Sequence, residues 1–302
     1  MITTALNASL PSTVRTRDGL SLHTRHWPVA AGVTPQGVAL IVHGLGEHAA
    51  RYDHVAAALN AIGWAAVSYD HRGHGRSEGA RGKLAHDDDL LHDLGTMVDA
   101  TRAAYPGQRL LMIGHSMGGA VAGRFVAAQA HPAESAKDAE VAAWARPVDA
   151  LVLSSPALAL PMSALQKLLL ATVGQLTPDV AVPNGLKPEW VCHNPETVRA
   201  YLADPLVHDR ITGRLTRWMK AAGETARARA ATWTVPTLLM WGGEDRCVDP
   251  QGSVAFAAQA PQALLTAHPW PRLSHEIFNE REQAEVLSVM CDWVQQHLGS
   301  PT

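Results

Sequence analysis

The sequence predicts an α/β fold, a mostly parallel central sheet flanked by helices, with a helical cap insertion. Three observations predict it. Short β-like runs alternate with helical runs through the first half of the chain, the alternation stops between about 157 and 233, and it resumes from 234 onward. Alternation of this kind leaves parallel strands joined by crossover helices that cover both faces of a sheet.

The chain opens with TVRTR and LSLHTRHW, which read as an antiparallel pair. VALIVHG, WAAVSYD, RLLMIG and VDALVLSS then read as buried parallel strands, being short apolar runs bounded by turn residues. Helices are expected near Arg51 to Ala61, near Asp88 to Ala104, and after the MIGHSMGGA turn to about Ala130. AHPAESAKDAEVAAWARP, near 130 to 147, is a polar, Ala-rich connection. From 157 to 233 the segments are helical or punctuated by proline, and no strand is expected there. VPTLLMWG and ALLTAHPW restore the pattern, with a helix from about Pro250 between them and a last helix from about Glu280 to Leu298. The expected organisation is a core domain of 1–156 and 234–302 with a cap of 157–233.

Composition removes several functional classes. A net charge of −3, with acids and bases interspersed, offers no basic stripe for nucleic acid. Three widely spaced cysteines, Cys192, Cys247 and Cys291, fit reduced thiols and a cytoplasmic location better than a disulfide framework. The first residues lack a basic region followed by an apolar core, so no secretory signal is expected. The most apolar stretch, Leu151 to Gly174, contains Pro156, Pro161 and Lys167 and is not a membrane span.

The chemistry is carried by MIGHSMGGA at 112–120. A serine boxed by glycines between a strand and a helix resembles the nucleophile elbow of the α/β-hydrolase fold. So sharp a turn brings the Ser116 Cβ towards residues two positions away on either side, and only glycine, at 114 and 118, leaves room. A serine needs a base and an orienting acid, which follow in the order Ser, Asp, His in this fold. GGEDRCVDP offers Glu244, Asp245 and Asp249 at the end of a strand. Asp245 is the expected acid, because Asp249 precedes Pro250 and suits the start of the next helix. Of sixteen histidines, His275 in PRLSHEIFNE lies after the last strand and before the last helix, whereas His268 lies within a strand. The oxyanion hole is expected from the backbone N–H groups of Leu45, in HGLGEH, and Met117. HRGHGRSEG and HDDDLLHD are rich in histidine and aspartate, but neither has a closed ligand set, and no metal is expected.

The stretches HGLGEHAARYDHVAAALNAIGWAAVSYDHRGHGRSEGARG, GHSMGGA, ADPLVHD, VPTLLMWGGEDRCVDP and LSHEIFNE resemble the monoacylglycerol lipase and lysophospholipase group of the α/β-hydrolase superfamily. The resemblance implies a serine hydrolase with Ser116, Asp245 and His275 as triad, Leu45 and Met117 as oxyanion donors, and a helical cap. It places Glu47, Arg51 and His115 near the alcohol end of the substrate pocket. The implied substrate is a small lipid or ester, ranked as monoacylglycerol ahead of lysophospholipid or short-chain ester. No cofactor and no obligate protein partner are implied, and the apolar cap is expected to shelter an acyl chain and to touch membrane surfaces transiently. Peptide hydrolysis, acyl transfer and ligand reception without turnover stay open at this stage.

Overall fold

In a computed structural model, which describes residues 10–129, 141 and 143–299, an eight-stranded sheet has the order β1-β2-β4-β3-β5-β6-β9-β10. The strands are β1 Thr13–Arg15, β2 Ser21–Trp27, β3 Gly37–Val42, β4 Trp64–Tyr69, β5 Arg109–His115, β6 Ala150–Ser154, β9 Thr237–Gly242 and β10 Leu265–Trp270. The antiparallel opening is confirmed, β1 on β2 and β2 on β4, and every pair from β4 to β10 is parallel.

The apolar strands are continuous runs because both faces of the sheet are covered. Successive side chains point to opposite faces. In β3, Val38, Leu40 and Val42 enter one core while Ala39 and Ile41 enter the other; β5 divides Leu110 and Met112 from Leu111 and Ile113 in the same way. On the first face lie α2 Asp89–Ala104, α3 Met117–Val126, α7 Gly213–Ala228 and α8 Gln251–Ala257. The second face is covered by α1 Asp53–Ala61 and α9 Gln283–Leu298. The polar connection expected at 130–147 and the chain's first residues fall largely outside the described residues.

Segment 157–233 carries α4 Ala164–Ala171, α5 Val173–Leu176, α6 Pro195–Ala203 and α7. It also carries two strands that the sequence does not announce, β7 Ala181–Pro183 and β8 Arg210–Thr212, paired antiparallel. Each is three residues long and β7 ends in proline, so neither shows the alternation by which a strand is recognised. α7 is amphipathic: Leu215, Trp218, Met219, Ala222 and Ala226 recur at helical spacing and join the first core. α4 and α5 behave oppositely, because Leu165, Leu168, Leu169, Val173 and Leu176 are 48 to 83% exposed. Among the described residues no helix is long and apolar enough to cross a membrane.

Candidate active site

The chain leaves β3 to form β4 on one side and later returns to form β5 on the other, so β3 and β5 are neighbours whose connections diverge. Open α/β sheets bind ligands at such a switch point, beyond the carboxyl ends of the strands. HGLGEH follows β3, Ser116 follows β5, Asp245 follows β9 and His275 follows β10.

Ser116 is half-buried and has φ 55° and ψ −120°, a left-handed conformation that costs a non-glycine residue energy. Its N–H donates to Ser154 O at 3.1 Å, and its carbonyl accepts from Ala157 N at 2.9 Å. The flanking glycines are sterically required. A Cβ at Gly114 would stand 2.6 Å from Gly118 O and 2.9 Å from Ala122 Cβ, and one at Gly118 would collide with the carbonyls of Val42 and His43. A second serine with positive φ, Ser155 at 40°, is fully buried, and its hydroxyl accepts from Gly242 N at 3.4 Å.

Asp245 and His275 meet as expected, Nδ1 of the ring donating to Oδ2 at 2.7 Å with both side chains buried. The other carboxylate oxygen of Asp245 accepts the N–H groups of Cys247, at 2.8 Å, and Val248, at 3.0 Å. Asp249 instead accepts Gln251 N–H at 3.0 Å, at the start of α8. His268 packs its ring on Trp270 at 4.6 Å, inside β10. His275 lies against the elbow, its ring 4.7 Å from that of His115, the residue before Ser116. Burial alone would lower its pKa, but the charge and hydrogen bond of Asp245, followed by Glu276 and Glu47, outweigh burial and raise it. His115 is pushed down to about 4 by burial and by His275, and its Nδ1–H donates to Ser154 O at 3.0 Å.

The loop after β3 approaches the serine closely: a Cβ at Gly44 would stand 3.0 Å from Ser116 Cβ. Among the described residues, neither Leu45 N–H nor Met117 N–H has an acceptor in the protein. Glu47 is buried and accepts from Gly44 N at 2.5 Å, Tyr52 OH at 2.7 Å and Arg51 at 2.9 Å. Arg51 also bonds Glu276 bidentately, at 2.6 and 2.8 Å, and lies over the Tyr201 ring at 5.0 Å. A cavity of about 10 Å³, room for about one water, is lined by Glu47, Tyr52, His115 and Glu276. ADPLVHD, from the insertion, grips this loop: Asp204 pairs with His48 at 2.8 Å, and His208 N–H donates to Gly46 O at 2.9 Å. Tyr52 and Glu276 fall inside the resembling stretches but no role attaches to them there, and Tyr201 falls outside them; their contacts identify all three.

The two histidine-rich stretches are not brought together as ligands. Asp89 and Asp93 both pair with the buried Arg72, at 2.8 and 2.7 Å, and Asp89 accepts the N–H groups of Ala85 and His86. One mixed donor set does form, Asp245, Cys247 and His275, with ligand atoms within 4.8 Å of one another. Its Asp245–His275 edge is closed by their hydrogen bond, and burial raises the Cys247 thiol pKa above its ordinary range. Thiols protonated to that degree are poor ligands unless a cation displaces the proton.

With an elbow serine at the switch point of this sheet, the protein is a serine hydrolase of the α/β-hydrolase fold. Residues 33–282 match the Hydrolase_4 family, described as serine aminopeptidase, S33, and the chain belongs to that family, in its monoacylglycerol lipase group. It is 34% identical over 267 residues to a monoacylglycerol lipase of Mycolicibacterium smegmatis, a match covering 87% of this chain and 90% of that one. A human monoglyceride lipase is 32% identical over 286 residues, covering 92% and 88%. Among solved structures, a monoacylglycerol lipase of Paleococcus ferrophilus is similar at a TM-score of 0.78 and 28% identity, covering 91% of this chain and 99% of that one.

Proposed function

We propose that the protein hydrolyses monoacylglycerols to fatty acid and glycerol through an acyl-enzyme formed on Ser116. The observation that carries this reading is the 2.7 Å Asp245–His275 pair beside the elbow. With Nδ1–H committed to Asp245, the remaining ring nitrogen of neutral His275 is free to take the Ser116 proton as the hydroxyl attacks the ester carbonyl. Leu45 and Met117 N–H groups receive the developing oxyanion, the latter at the positive end of α3. His275 then protonates the departing glycerol and activates water to release the acid.

The pairing of relatives favours an ester over a peptide. An aminopeptidase site needs a free acid to receive the substrate's ammonium group, yet Glu47 and Glu276, the buried carboxylates beside the elbow, are both committed to Arg51. Glycerol is assigned to the polar side at Arg51, Glu47 and His115, and segment 157–233 to a cap. Reduced thiols at all three cysteines, each buried, support a cytoplasmic location. The test is fatty-acid release from one acyl series on glycerol, glycerophosphocholine and nitrophenol, beside amino-acid release from an aminoacyl amide. The glycerol series is expected to outrank the glycerophosphocholine series, with the activated nitrophenyl esters as the reference for acyl length; a clear preference for glycerophosphocholine or for the amide over the glycerol ester overturns the substrate assignment.

Because only neutral His275 accepts a proton, kcat/KM should rise with pH through the raised pKa of that ring, then level off. Glu276 is one of the groups that raise it, so Glu276→Gln should move the rising limb to lower pH. A limb that stays in place or moves up contradicts the assignment of His275 as the base.

The exposed leucines of α4 and α5 are the proposed contact with aggregated lipid. Burying one such side chain contributes about 1.5–3 kcal/mol. Leu168→Asp and Leu176→Asp should each lower activity on vesicles containing monoacylglycerol by roughly tenfold or more, leaving turnover of soluble nitrophenyl acetate unchanged. Equal losses on both substrates would place these residues in folding or in the pocket.

A further inference from the structure

Leu45 offers the proposed oxyanion hole only a backbone N–H, so its value depends on which way the Gly44–Leu45 peptide faces. In a trans peptide the C=O and the next N–H point in opposite directions, and whatever holds the Gly44 carbonyl therefore aims the Leu45 N–H. That carbonyl accepts a 2.8 Å hydrogen bond from His43 Nδ1–H in a fully buried setting. On the other side of the ring, His43 Nε2 accepts the His71 N–H at 2.9 Å. Both bonds together require the neutral imidazole with its proton on Nδ1; the other tautomer, or the charged ring, sets donor against donor or acceptor against acceptor.

The ring has little freedom to do otherwise. It packs edge-on to His71 at 4.5 Å and is tilted against His74 at 5.5 Å. Burial, partly offset by Glu47 and Asp70, keeps its pKa below the ordinary value. Other bonds to this loop hold neighbouring peptides: Glu47 accepts the Gly44 N–H, the His71 ring Nε2–H donates to His43 O at 3.2 Å, and His208 N–H donates to Gly46 O. Among the described residues, His43 alone grips the peptide that carries the Leu45 N–H, and glycine at 44 would otherwise let that peptide turn over cheaply.

We infer that His43 is a positioning residue for the oxyanion hole, orienting the Gly44–Leu45 peptide so that the Leu45 N–H faces the Ser116 adduct. The inference rests on the serine-hydrolase reading above.

Two substitutions separate orientation from packing. His43→Asn keeps an amide N–H close to the position of Nδ1; His43→Gln keeps an acceptor near Nε2 for the His71 N–H but has no donor at the Nδ1 position. With a soluble nitrophenyl ester, His43→Gln should lose about 10²–10³-fold in kcat with KM nearly unchanged, as loss of one oxyanion donor does. Its inhibition by a trifluoromethyl ketone, whose adduct places an oxyanion in the hole, should weaken by the same factor. His43→Asn should stay within about tenfold of the parent on both measures. The inference is overturned if His43→Gln keeps its kcat, if its loss lies in KM, or if both variants fall equally and in step with their melting temperatures. Ser116→Ala in the same assay keeps the two readings apart. If that variant turns over normally, the serine-hydrolase reading falls and this inference with it; if it is inert, the His43 comparison is judged alone.

Discussion

Ser116→Ala is expected to lower ester hydrolysis by about 10⁴–10⁶-fold while the protein unfolds at nearly the same temperature. The backbone at 116 is held at φ 55° by its bonds to Ser154 and Ala157 and by the glycine contacts around it, and alanine meets the same strain as serine there. What disappears is the hydroxyl. Labelling by a fluorophosphonate should disappear with it, since Ser155 shares the positive φ but is fully buried with its hydroxyl directed to Gly242 N–H. Normal turnover by the alanine variant would remove Ser116 from the mechanism.

Nearly as large a loss, about 10⁴-fold in kcat, is expected for Asp245→Asn. The amide keeps one oxygen for the Cys247 and Val248 N–H groups, so the loop after β9 retains its shape. It presents N–H rather than oxygen to His275 Nδ1, which drives the ring proton to Nε2 and leaves no acceptor for the serine proton. Asp249→Ala tests the alternative acid: it should cost about 1 kcal/mol of stability through loss of the helix-start bond to Gln251 and leave kcat unchanged. A reversal of these two outcomes would exchange the roles of the aspartates.

The parts of this account legible in the sequence are those governed by local rules. The parallel strands announce themselves because both faces are buried, and the elbow because its glycines are sterically required at 114 and 118. Chain order alone singles out Asp245 and His275 in the sequence, and the structure sets their side chains 2.7 Å apart. Long-range pairing left no trace. Arg51 meets Glu276 across 225 positions, and no periodicity marks either partner. The strands β7 and β8 are too short to show a pattern, and they pair only because the chain returns across the insertion. Apolar composition in LQKLLLATVG suggests a sheltered acyl chain, yet Leu165, Leu168 and Leu169 face outward; composition reports apolarity and not the direction it faces. His43 reads as one letter of the HGLGEH stretch, and its role rests on two bonds to backbone groups that no sequence pattern encodes.

The central claim is that Ser116 carries the acyl group during turnover. The most direct measurement is acid quenching during hydrolysis of a long-chain nitrophenyl ester, followed by peptide mass analysis. The account predicts one acyl group on the peptide containing GHSMGGA, located on Ser116, its occupancy increased in protein quenched during steady turnover and absent from Ser116→Ala. An acyl group on Cys247 or Ser155 instead, or turnover with no acylated residue at all, would contradict it.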